Sequence, residues 1–314
     1  MQHIDDFFWY ARERQNILLR RRAGEPRPWT EDWVLHHHRF CNIFRVDDAV
    51  TTSFREHVRG DMSKSPDVLL ATVVFRWFNR ITSGEAIFNQ IADYRASGRA
   101  ITAWEWYLET GSTEEIKTAL LKHIGPKGPF VTGAYIIKTP EGYTKLNGVL
   151  QCLEWFWQDA HQPSKYPYIA GGQLSYNWRA AAVTMGGTQW SLEDTWGWLR
   201  KFRYLGDFMA YEIVTDLRHT DLLSSAPDIM TWANAGPGAV RGLHRIHGRP
   251  YHTGMPKHQS LAEMQTILGL SRHPDHWPAE WQPWEMRDVE HTLCEYDKWQ
   301  RAHNNEGRPR GVYK

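Results

Sequence analysis

The feature that constrains this chain most is its punctuation. Segment after segment carries apolar residues at helical spacing, and a glycine or proline closes almost every one. The run "DDFFWYARERQNILLRRR" has acids at its front and arginines at its back, the order that suits a helix macrodipole. "AGEPRPWTED" breaks it, and Thr30 is the expected N-cap of a helix over "DWVLHHHRFCNIFRVDDAVTTSFREHV". Ser65 caps the helix "SPDVLLATVVFRWFNRI", with Pro66 in its first turn. "SGEAIFNQIADYRASG", "STEEIKTALLKHIG" and "LNGVLQCLEWFWQDA" repeat the periodicity. Only "GPFVTGAYIIKTPEGYTKL" reads as a strand pair, with "TPEG" as its turn, so a small β-hairpin is expected near 130–146; a short helix is the competing reading. The expected fold class is therefore mainly α.

Charge and cysteines narrow the function classes. A formal net charge of +1 over 314 residues argues against bulk electrostatic binding of nucleic acid, so any such binding must use local patches. Cys41, Cys152 and Cys294 are widely spaced with no CxxC, which excludes a disulfide framework and fits a reducing interior. No window is apolar enough for a membrane span, and the N-terminal residues lack the apolar core of a signal peptide.

Residues 191–219, "SLEDTWGWLRKFRYLGDFMAYEIVTDLRH", read as two short helices around a turn at Gly206. Ser191 and Asp194 make a capping-box-like start, and Phe208, Ile213 and Leu217 are expected on the buried side of the second helix. A structural αα-turn is one reading. The segment also resembles the helix–hairpin–helix of the DNA glycosylase superfamily, whose hairpin binds a DNA phosphate through backbone N–H groups. Asp228 lies near the distance at which that superfamily places its catalytic Asp. However, the segment that best matches the following helix is "GPGAVRGLHR", with Gly236-Pro237 where the acid should stand. The resemblance thus implies the scaffold without the excision chemistry, and it makes the basic run Arg241–Arg249 a candidate anion site.

A second resemblance covers residue 26 to the last residue. "PWTEDWVLHHHRFCNIFRVDDAVT", "VVFRWFNRI", "GPGAVRGL", "MRDVEHTLCEYDKWQR" and "GRPRGVYK" resemble the alpha-glutamyl/putrescinyl-thymine pyrophosphorylases of phages and bacteria. They are similar too to the helical domain that accompanies 5-hydroxymethyluracil DNA kinases. No Walker-type GxxxxGKS or GxxxxGKT occurs. The resemblance implies a transferase that displaces pyrophosphate from 5-(pyrophosphoryloxymethyl)uracil in DNA with an amine. Its partners would be DNA carrying modified thymine, a free amino acid or polyamine, and a 5-hydroxymethyluracil DNA kinase; its setting would be the cytoplasm of a phage-infected bacterium.

That chemistry needs three things. A flipped base needs an aromatic or apolar pocket, for which Trp77, Trp104, Trp106, Trp155 and Trp157 are candidates; core packing is the alternative for each. Departing pyrophosphate needs cations, and Arg39, Asn42, Arg45, Arg76, Asn79 and Arg241 are assigned to it, with buried Arg–Asp pairing as the rival. The amine must lose a proton, and Asp48, Asp288, His291 and Glu295 are the candidate catalytic groups. Helical spacing puts Asp288, His291 and Glu295 near one face; a solvated charged face is the alternative. Arg203, Gly206, Gly236, Gly238, Arg245, Arg308 and Arg310 are expected to contact DNA. "VLHHHRF" and "HRIHGRPYH" invite a metal reading, but no carboxylate or cysteine completes a set there, so neither metal nor cofactor is expected.

The expected organisation is one two-lobed helical domain over 1–314, with the active site in the cleft. It divides into an N-terminal helix (1–25), a first lobe (26–190), the helix–hairpin–helix with the GPG segment (191–250), and a C-terminal segment (251–314) packing back on the cleft. A glycosylase acting on a modified base, or a non-catalytic DNA-binding module beside the kinase, are the alternative functions.

Overall fold

The computed structural model describes residues 1–65, 67–94, 99–160, 190–307, 309 and 311–312. Helices dominate, and the chain divides into two compact units. The first combines Met1–Asp48 with Asp228–Lys314, and the second is Ala49–Pro227.

The first unit is organised around the helix Met286–His303. Two helices bind it by different means. Pro237–Ile246 comes close because it presents glycine: a Cβ on Gly238 would lie 2.4 Å from Cys294 Sγ, and one on Gly242 2.4 Å from the Leu293 carbonyl oxygen. The N-terminal helix Ile4–Arg22 instead supplies aromatic rings. Phe7 meets Tyr296 edge-on at 5.5 Å, and Tyr10 packs on Tyr296 at 5.8 Å and Trp299 at 5.5 Å. Phe7, Phe8 and Tyr10 are fully buried. At about 1.5–3 kcal/mol for each buried side chain of this size, the aromatic seam is a major part of what holds the unit together.

On the central helix, facing Pro237–Ile246, is Asp297, with no exposed surface. Its carboxylate takes Arg241 Nε at 2.8 Å and Arg245 Nε at 2.9 Å, with Arg301 Nε at 3.3 Å. A carboxylate so buried is stable only when paired, and here three guanidinium groups share it.

The expected long helix after residue 30 forms only in part. Asp32, not Thr30, is the N-cap, accepting Leu35 N–H at 2.8 Å, and the helix stops after Trp33–His37. Other groups claim the backbone of the next residues. Arg14 donates to the carbonyls of Phe40 and Cys41, Glu295 accepts the Cys41 N–H, and Asp48 accepts the Asn42 N–H. An extended segment with its polar groups satisfied from outside has no need of i→i−4 bonds.

The second unit is built on Val68–Phe78, a helix whose eleven residues are all buried. Against it packs Asp207–Leu217, buried from Met209 onward. Phe208, expected on the buried side, is 46% exposed, because the inward-facing stripe begins one residue later. The one strand pair among the described residues is Ile91–Tyr94 with Arg99–Thr102, antiparallel. The hairpin expected near 130–146 does not form. There the chain is irregular and tied down by single bonds: Thr132 N–H to Phe78 O at 2.8 Å, Ser83 Oγ to Phe130 O at 2.6 Å, and Lys145 Nζ to Ile137 O at 2.6 Å.

Candidate functional site

The described residues place one cluster of reactive side chains in the first unit. It joins residues 40–48, an extended stretch ending in the short 3-10 helix Arg45–Asp47, to the middle of the helix Met286–His303. A nitrogen of His291, Cys41 Sγ and a carboxylate oxygen of Asp48 all lie within 4.8 Å of one another, each on a partly buried residue. Glu295 stands one helical turn beyond His291 and holds the Cys41 N–H at 2.8 Å; Lys298 Nζ donates to the same carboxylate oxygen at 3.0 Å.

Asn42 organises the group. Its N–H donates to Asp48 Oδ1 at 2.9 Å, its side-chain amide donates to the Asp47 carbonyl at 2.9 Å, and its Oδ1 accepts from Arg14 Nη2 at 3.0 Å. His291 has a backbone hydrogen bond with Asn42, while its Nε2 is buried with no hydrogen-bond partner.

Burial sets the protonation states. It holds the His291 imidazole well below its ordinary value, reinforced by Arg45, Arg287 and Lys298, so the ring is neutral at pH 7. Burial pushes the Asp48 carboxyl above the usual carboxylate range against the pull of Arg45. The Cys41 thiol is pushed well up by burial, then by Glu295 and Asp48. Burial opposes the Lys298 charge, but Glu295 outweighs it and raises the ammonium above its ordinary value.

The structure therefore brings together Asn42, Arg45, Asp48, His291 and Glu295, and adds Cys41, Lys298 and Arg14. A solvated face is not what the helix presents here, since Asp288, Glu295 and Asp297 are all buried. Asp288, which helical spacing grouped with His291, is instead part of a capping box: its carboxylate accepts the Glu285 N–H at 2.9 Å while Glu285 caps the helix N-terminus. Arg39 is exposed, and its N–H bonds the Gly311 carbonyl. Arg76 and Asn79 belong to the second unit. There Arg76 clasps Asp216 through Nε at 2.6 Å and Nη2 at 2.8 Å, and donates to Asn79 Oδ1 at 2.8 Å. Trp77 and Trp104 are core residues.

The basic run 241–249 has its own acids. Besides Asp297, Arg245 pairs with Glu306, and Arg249 with Glu263 at 2.5 Å. The N–H of Gly236, at the start of its helix, donates to Glu290 Oε1 at 3.3 Å, so a carboxylate of this chain already sits where an external anion was expected. Gly238 serves close packing. Arg203 is bidentate to the buried Asp159 and stacks 4.6 Å from the Trp155 ring. Gly206 is the N-cap of Asp207–Leu217 without a side-chain cap. Arg308 and Arg310 lie outside the described residues.

The histidine runs gather no three-ligand group among the described residues. His37 Nδ1 pairs with the Trp33 carbonyl, and His244 Nε2 with that of Thr253. An open cavity of about 670 Å³ is lined by Trp33, His37, His38, Glu306 and Val312 among others, and shares no lining residue with the cluster.

Comparison with known proteins adds a relation to this geometry. The family described as "5-hmdU DNA kinase, helical domain" matches residues 1–308, which include every member of the cluster. A curated 5-hmdU DNA kinase of Bacillus phage SP10 is 24% identical over 267 residues, 77% of this chain. The aligned part is 36% of that kinase, so the chain spans little more than a third of its relative's length. No solved structure matches significantly.

Proposed function

The chain belongs to the 5-hmdU DNA kinase helical-domain family, and from that premise we propose that it modifies a thymine-derived base in DNA. In this reading it displaces pyrophosphate from 5-(pyrophosphoryloxymethyl)uracil with the nitrogen of an amino acid or polyamine. The amine lone pair forms the new bond to the methylene carbon, the carbon–oxygen bond breaks, and pyrophosphate leaves with its electron pair. The nitrogen then gives up a proton.

The observation that carries the reading is the convergence of Asp48, His291 and Cys41 beside Arg45, within the region that the family covers. Perturbed titratable groups gathered at one point make a functional-site candidate with a stated physical basis. Arg45 supplies charge for the leaving group, and the acids and imidazole supply what the amine's proton needs. A glycosylase-like hairpin at Gly206, engaging a DNA phosphate, belongs to the same proposal.

The test is direct. Protein, DNA bearing the pyrophosphorylated base and a panel of amines are incubated, and the nucleosides are analysed by mass spectrometry. An adduct with equimolar pyrophosphate is expected, and Asp48→Asn or His291→Asn should lower its rate by about 100-fold or more. Release of neither product with any amine would overturn the reading. A second reading is favoured by the relative's length: the chain corresponds to about a third of a kinase, and can be a module that delivers a kinase to modified DNA. Binding of the modified DNA without turnover is the outcome that selects it.

A further inference from the structure

We propose that Cys41, Asp48 and His291 hold a single first-row divalent cation, zinc by the character of the donors, with one coordination position left open. Sulfur, nitrogen and oxygen donors in a set of three are what an open zinc site takes, each at about 2.0–2.3 Å from the metal. The three donor atoms lie within 4.8 Å of one another, close enough that a small side-chain adjustment brings them around a common centre.

The surroundings point the same way. Ligands of a metal site are oriented by second bonds, and each of these three is. The backbone bond between His291 and Asn42 fixes the imidazole, leaving Nε2 buried without a partner, a lone pair with nothing else to accept. The Asn42 N–H holds Asp48 Oδ1 at 2.9 Å and leaves the second carboxylate oxygen to the metal. Cys41 is pinned through its backbone, by Glu295 on the N–H at 2.8 Å and Arg14 on the carbonyl at 3.2 Å, so its Sγ is the part left to act.

Arg45 and Arg287 work against a cation here. They favour an anion as the fourth ligand, so the open position suits a phosphate or pyrophosphate oxygen. Asp48 and His291 then act through the metal, and Glu295 remains as proton acceptor. That last step rests on the amine-transfer reading; the cation site does not, because its test needs no DNA.

Metal-free protein is titrated with zinc by calorimetry and with cobalt by absorption. One equivalent should bind, and cobalt should give a thiolate charge-transfer band in the near ultraviolet. Cys41→Ser should abolish that band and weaken zinc binding by about 100-fold or more, and His291→Asn should weaken it comparably. Melting of the metal-free variants shows whether each is folded, and Cys41→Ser, nearly isosteric, decides the matter if His291→Asn is not. Absence of the band, or zinc affinity unchanged in Cys41→Ser, overturns the proposal; in the second case the ion resides elsewhere, as on His36–His38. Failure of amine transfer with the band intact would leave the cation site standing.

Discussion

At the residue scale, the cluster shows which chemistry a linear reading can find. Asp48, His291, Glu295, Asn42 and Arg45 sit in two odd, polar-rich segments, "RFCNIFRVDD" and "DVEHTLCEYDK", and the fold makes neighbours of them; their roles remain a proposal. Cys41 lies in the first of these segments, but its neighbours His291 and Glu295 come from a helix some 250 positions later, which no local pattern reveals. Asp288 was misplaced for the converse reason: periodicity puts it on the right face, but capping geometry at a helix start outranks periodicity. The state of His291 makes a pH prediction. A histidine held below 6.5 contributes stability that is present above that value and lost as pH falls beneath it, since the unfolded chain takes up the proton first. Melting of the metal-free protein should weaken below pH 6.5 by up to about 1.4 kcal/mol per pH unit from this group. His291→Asn should flatten that slope, leaving a smaller share from His247, which burial also holds down. An unchanged slope in the variant would show that the imidazole titrates freely.

At the scale of elements, helices were legible where apolar spacing and packing agree, as in Ile4–Arg22, Val68–Phe78 and Met286–His303. They failed where side chains from elsewhere capture the backbone. Residues 39–44 fall within the expected helix, yet Arg14, Glu295 and Asp48 take their carbonyls and amides. The same holds near 130–146, where single tertiary bonds replace a ladder. The Gly-Pro-Gly segment was legible as a helix start, but its purpose is contact. Gly242→Ala puts a methyl 2.4 Å from the Leu293 carbonyl oxygen, and should destabilise the protein by about 1–3 kcal/mol in denaturant unfolding. Gly269→Ala, also helical but with nothing within 4 Å, should be neutral or stabilising by up to about 1 kcal/mol. Equal effects would remove the packing argument.

At the scale of the whole molecule, the balance of charge was visible in the sequence but its bookkeeping was not. Arginines expected to meet DNA or pyrophosphate are matched by buried acids: Asp297 for Arg241 and Arg245, Asp159 for Arg203, Asp216 for Arg76. Nor could any local signal show that Met1–Asp48 and Asp228–Lys314 form one unit. That arrangement predicts that removing residues 1–22 unfolds the first unit. Phe7, Phe8, Tyr10 and Ile17 alone represent about 6–12 kcal/mol of burial, comparable to the whole stability of a typical domain. Amides of Met286–His303 should lose hydrogen-exchange protection; retention would mean that the helix Ile4–Arg22 is dispensable.

The discontinuous unit has a consequence in time. The segment carrying Cys41 and Asp48 leaves the ribosome long before the helix carrying His291 exists, with about 240 residues between Asp48 and His291. At about 5–20 residues per second, the early half of the cluster waits on the order of 10–50 s for its complement. Throughout that interval Phe7, Phe8 and Tyr10 have no Tyr296 or Trp299 to pack against. A chain halted before Met286–His303 is made carries the Cys41 thiol and the aromatic strip without the side chains that they meet in the folded unit.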